Sequence, residues 1–189
     1  MPGLTGFLPL VTALATTGRL GELRYGASLP ELAAHYGDPW DGGRLHRGDR
    51  WPHAFGWGDV QTVFCRCRKL HSLSLPVWHG ELDLPQPGGG ALTLDTRVTE
   101  AELMPALTDS GHGWRTLTYE NLPNQRNLEF SPAEEVRVEL VLTDRDGYDQ
   151  PPLPEWVLHK AMLWGFEHVE CPEPDRSLPD DGWGAAAER

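Results

Sequence analysis

Two thiols separated by one residue, Cys65 and Cys67, are the residues of this sequence with the most specific potential chemistry. On an extended strand that spacing sets both sulfurs on one face. With His71 or His79 close by in sequence, they could ligate zinc, whose preferred donors include thiolate and imidazole. A usual zinc knuckle separates its cysteines by two residues rather than one, and the site would require a fourth ligand such as Cys171. The same strand placement gives the thiols a plainer role as small hydrophobes beside Val63. An imidazole beside Cys67 could generate a reactive thiolate. Eight histidines are spread through the chain, however, so a cysteine near one of them carries little information. The sequence assigns no metal, no cofactor and no catalytic residue.

A second group is cationic and aromatic. Arg44, Arg47, Arg50, Arg66, Arg68 and Lys69 are interleaved with His46, Trp51 and His53, a mixture that can clamp phosphate and stack bases. Its ordinary role is pairing with acidic residues of the same chain. Trp40, Trp51 and Trp57 cluster in or beside a Gly-rich loop at 38–58, where aromatics either anchor a partner or seal a small sheet. The expected binding residues are therefore Trp40, Arg50, Trp51, His53 and Trp57. Among the carboxylates, Asp144-Arg145-Asp146-Gly147 lacks the full calcium-loop series and its distal Glu. The chain has no Walker loop, dinucleotide fingerprint, zincin helix or nucleophile elbow.

The elements that must position these residues follow from periodicity and turn chemistry. The 189 residues include 17 Pro and 21 Gly, which favours short elements over long bundles. Residues 4–17 carry an apolar stripe at helical spacing and end at Gly18; without a preceding Lys or Arg they read as a helix rather than a signal-peptide core. Ser28-Leu29-Pro30-Glu31 and Thr99-Glu100-Ala101-Glu102 both fit a capping box, opening helices at 29–36 and 100–109. Strands are expected at 55–57, 60–67, 72–78, 115–119 and 136–142, with a linker at 85–90 and a closing helix at 154–163. The two halves correspond with an offset of 71 residues at the helix starts and 76 in the strands, an insertion that loops tolerate.

The expected class is α+β, with small antiparallel sheets, helices on one side and two tandem α-β-β-β modules. Residues 1–84 hold the first helix and first module, 91–171 the second module and closing helix, and 172–189 a mobile acidic, Pro-rich tail, all within one compact unit. In strand 136–142 the more apolar face, Val136, Val138, Leu140 and Leu142, should pack on helices. The Arg137/Glu139 face should then meet solvent or a partner.

A helix ending in Gly-x-Pro, an aromatic-rich loop and a strand with a Gly-Asp turn resemble the α-plus-β-meander modules of β-lactamase-inhibitor-like and outer-membrane-assembly-lipoprotein-like small proteins. The resemblance covers residues 28–78 and, less fully, 99–142; the chain has no lipoprotein cysteine near its start. It is also similar to actinobacterial immunity-type proteins that pair with toxins. These resemblances imply a binding module rather than an enzyme.

Charge narrows the partner. The formal net charge is −12, and residues 129–189 hold 15 acids against 5 bases. This opposes duplex nucleic acid and suits a basic protein partner. Three cysteines make no secreted disulfide framework, and no apolar run is long enough to cross a membrane. The expected function is a cytoplasmic, non-enzymatic binding protein of immunity type that masks a basic protein. The alternative is a small-molecule-binding protein or enzyme with a pocket between the meander and loop 38–58.

Overall fold

A helix followed by four antiparallel strands occurs twice, and the two sets join edge to edge. The computed structural model describes residues 6–47, 51–145, 151–165 and 171; Arg50 and the tail expected at 172–189 lie outside them. Helix α1 (Phe7–Thr17) leads into the two-residue strands β1 (Arg19–Leu20) and β2 (Leu23–Arg24), which pair with each other. Then come α2 (Leu29–Tyr36), β3 (Trp40–Arg44), β4 (His53–Trp57), β5 (Val60–Phe64) and β6 (Leu70–Pro76). A hairpin of β7 (Glu81–Pro85) and β8 (Ala91–Asp95) precedes α3 (Glu100–Asp109), β9 (Arg115–Tyr119), β10 (Leu122–Ala133), β11 (Val136–Thr143) and β12 (Val157–Gly165). The large sheet has eight strands in the order β3-β4-β5-β6-β12-β11-β10-β9. The last strand of one meander thus pairs with the last strand of the other, and the class is α+β.

Residues 154–163, expected as a closing helix, instead contribute to β12. Antiparallel pairing to β11 along 157–165 and to β6 over 160–164 satisfies its backbone on both sides through its centre. Ala161 and Leu163 point into the core while Lys160, Met162 and Trp164 alternate with them. A register shift opposite Val141/Leu142 breaks the alternation at His159, which is why the segment also fits a helical period. The slot between two unsatisfied strand edges decides in favour of the strand.

Other differences are local. Trp40–Arg44, expected within a loop, forms edge strand β3, and of the linker expected at 85–90 Pro85 ends β7 and residues 86–90 form the turn of the β7–β8 hairpin. The capping box at Thr99 is complete, with Thr99 Oγ1 accepting from the Glu102 backbone and Glu102 accepting from the Thr99 backbone. Ser28 makes no such side-chain bond. The Leu29 N–H there donates to Arg68 O at 2.9 Å, and Ser28 forms a β-bridge with Lys69, which tie this helix start to the turn after β5.

Helices α1, α2 and α3 pack their apolar residues into the core on one face of the large sheet. Core residues Phe55, Trp57, Val60, Phe64, Leu73, Leu75, Leu128, Phe130, Val138, Leu140, Ala161 and Leu163 register with one another across successive strands and are buried. Helix α1 packs over β10 and β11 and against α3. Tyr36 of α2 lies 6.2 Å from the Trp57 ring, and Trp57 Nε1 donates to Gly37 O at 2.7 Å. Arg126, on the same face, pairs with Glu100 at the start of α3 and stacks 4.2 Å over Trp156. No helix is long and apolar enough to cross a membrane among the described residues.

The opposite face carries Gln61, Ser72, Ser74, Lys160, Met162, Trp164, Arg137 and Glu139. Glu139 lies on this face as its register demands, yet it is only 8% exposed, because it stands between Glu129 on β10 and Met162 on β12. Asn127 Nδ2 donates to it. Burial pushes its carboxyl up, the Glu129 charge adds to this, and Lys160 opposes it. A carboxyl raised in the folded state contributes stability at low pH that is lost as pH rises through its folded value. Glu139→Gln keeps an acceptor for Asn127 and removes the charge. It should therefore raise Tm at pH 8 by about 2–4 °C and by much less at pH 4, as read by thermal denaturation at both pH values. An equal gain at both would remove ionisation as the cause.

Candidate functional site

The turn linking β5 to β6 brings Cys65 and Cys67 to the end of the sheet where β12 also finishes, and Cys171 meets them there. The three Sγ atoms lie within 4.8 Å of one another, and the Cys67 thiol donates to Cys171 Sγ at 3.1 Å. All three are half-buried thiols. The turn is held from two sides. Cys65 N–H donates to Lys69 O at 3.0 Å and Arg68 N–H to Cys65 O at 2.9 Å, with Arg68 in the left-handed region at φ 57°. Gly26 and Leu29 donate to Leu70 O and Arg68 O, and Leu70 donates back to Ala27 O.

This arrangement distributes protons unevenly among the sulfurs. Burial pushes the Cys67 thiol up to about 12, reinforced by its bond to Cys171 and by the neighbouring sulfurs. Burial also raises Cys65, partly offset by the Lys69 and Cys67 backbone N–H groups that face its sulfur. Cys171 is lowered: burial opposes its ionisation, but bonds from the Cys67 thiol and from the Cys67 and Arg66 backbone outweigh it. A cavity of about 220 Å3 opens beside Cys65, lined also by Tyr25, Lys69, His71 and Glu135. Burial, and secondarily the Glu135 charge, raise the Tyr25 phenol.

The sequence marks Cys65 and Cys67 but places them as core hydrophobes, and it names Cys171 only as a conditional ligand. The residue separation of 104 between Cys67 and Cys171 hides the cluster, because closure depends on β12 lying beside β6. Of the expected binding residues, Trp57 is 4% exposed and closes the core over α2. His53 is fully buried, with Nε2 2.6 Å from Asp41 Oδ1 and its ring stacked on Phe55 at 4.7 Å. Trp51 is half-buried beside His53. Trp40 lies on the other sheet face, 44% exposed, with its ring over Gly56 and Nε1 donating to Gly58 O at 2.9 Å. The described members of the set are therefore divided between the two faces.

A second, shallower concavity of about 450 Å3 is lined by Trp114, Arg115, Glu129, Ser131 and Arg137. The pair between Arg115 Nη2 and Glu129 Oε1, at 2.7 Å, already matches two of its charges.

Compared with known proteins, the chain matches no family model, no curated protein and no solved structure.

Proposed function

We propose that the protein is a cytoplasmic, non-enzymatic binding protein of immunity type that masks a basic protein partner through the acidic face of the β7–β8 hairpin. The observation that carries this reading is the placement of Glu81 directly opposite Asp95 in the hairpin register. Like charges facing each other across two strands destabilise a hairpin, so this pair has a cost that a cationic partner would offset. Asp83 follows on the same hairpin face, and Asp59 Oδ2 accepts from the Asp83 backbone at 2.8 Å. Leu82 and Leu84 on the other face are buried and fix the acidic side outward. Trp78, 45% exposed, stands three residues before Glu81 and offers a large rigid anchor beside the charges.

Charge complementarity acts mainly through association rate and specificity and is screened by salt. The immobilised full chain should capture a basic protein at low ionic strength and release it at about 0.5 M salt. The Glu81→Lys/Asp95→Lys double variant should fail to capture that protein. The single Glu81→Lys change should at the same time raise hairpin stability by about 0.5 kcal/mol, since it removes the repulsion. Capture that is unchanged by charge reversal, or no basic protein captured at low salt, would overturn the reading.

A further inference from the structure

We propose that Cys65, Cys67 and Cys171 form a zinc site that fastens the chain beyond β12 to the turn between β5 and β6. Three sulfurs from two distant parts of the chain meet within 4.8 Å. Tetrahedral zinc with Zn–S bonds of about 2.3 Å sets its sulfurs about 3.8 Å apart, so small side-chain adjustments seat an ion among the three. A disulfide would consume two of them and leave the third beside it unused, whereas a soft divalent ion uses all three.

Backbone N–H groups already face two of the three sulfurs. The Cys67 and Lys69 backbone N–H groups face Cys65, and the Arg66 and Cys67 backbone groups face Cys171. These are hydrogen-bond donors set around prospective metal ligands, as the surroundings of a metal centre require. Three thiolates around a dication leave one negative charge, and Arg66, Arg68 and Lys69 stand in the same short turn to balance it. Zinc binding releases the protons of the ligating thiols to solvent, so no oxidant or reductant takes part.

The inference is independent of the hairpin reading, which uses none of these residues. Zinc ties Cys67 to Cys171, 104 residues apart, and thereby fixes the end of β12, the strand through which the two halves of the sheet join. Because the ion binds the folded chain and not the open one, it stabilises by mass action.

The test uses the reduced full chain with zinc itself as the probe. Metal analysis after removal of excess zinc should find one ion per chain, and chelation should lower Tm by about 5–15 °C. Cobalt(II) in place of zinc should show the intense charge-transfer absorption of three thiolates. Cys171→Ser should weaken zinc binding at least 100-fold, and circular dichroism of the variant reports whether it is folded. If that variant does not fold, the cobalt absorption of the unaltered chain still counts the thiolates. Zinc well below one per chain in the reduced protein, a cobalt spectrum without thiolate bands, or unchanged affinity in folded Cys171→Ser would overturn the proposal. So would formation of a Cys67–Cys171 disulfide in a chain that takes up no zinc once reduced.

Discussion

Phe64→Ala should destabilise the protein by about 3–5 kcal/mol, a Tm loss of roughly 10 °C for a chain of this length. The side chain is fully buried, at the end of β5. Its ring meets Phe55 edge-on at 5.9 Å and Trp57 at 6.4 Å, and its backbone registers with His53. Truncation removes the apolar burial and leaves a cavity that β-sheet backbone on both sides cannot collapse to fill. Phe64→Leu keeps most of the volume and should cost less than about 1.5 kcal/mol. Urea denaturation of the two variants checks both figures. A loss below about 1 kcal/mol for the alanine variant would show that the aromatic cluster is not closed at this point.

The aromatic cluster also shows what the sequence could and could not reveal. Alternation in 60–64 and 136–142 was legible because each strand has one apolar face over a core and one more polar face. The helix starts were legible through capping chemistry, although Ser28 achieves its end through backbone bonds to the β5–β6 turn instead of its hydroxyl. Segment 154–163 was not legible, because its burial depends on two strand edges from different halves meeting around it. The long strand β10 escaped for a related reason. Its sequence Leu-Pro-Asn-Gln-Arg-Asn-Leu-Glu-Phe is polar at its start, and Arg126 faces the core side only because Glu100 and Trp156 receive it there. The cysteine cluster combines both difficulties, with two ligands local and the third set by β12.

Gly165→Val should cost about 3 kcal/mol through overpacking, and the cost should depend on Tyr25. Gly165 ends β12, opposite Val136, with a backbone conformation open to any residue. Space, not conformation, therefore selects glycine. A Cβ there would stand 2.0 Å from Cε2 and 2.4 Å from Cζ of Tyr25, and the ring must shift to admit it. In a Tyr25→Ala background the same substitution should lose most of its penalty, giving a coupling of at least about 1 kcal/mol in a double-mutant cycle measured by urea denaturation. Additive effects of the two changes would mean that the ring does not rest on Gly165. Tyr25 also lines the cavity beside Cys65, so the contact that demands glycine at the end of β12 is the one that holds the wall of that cavity in place.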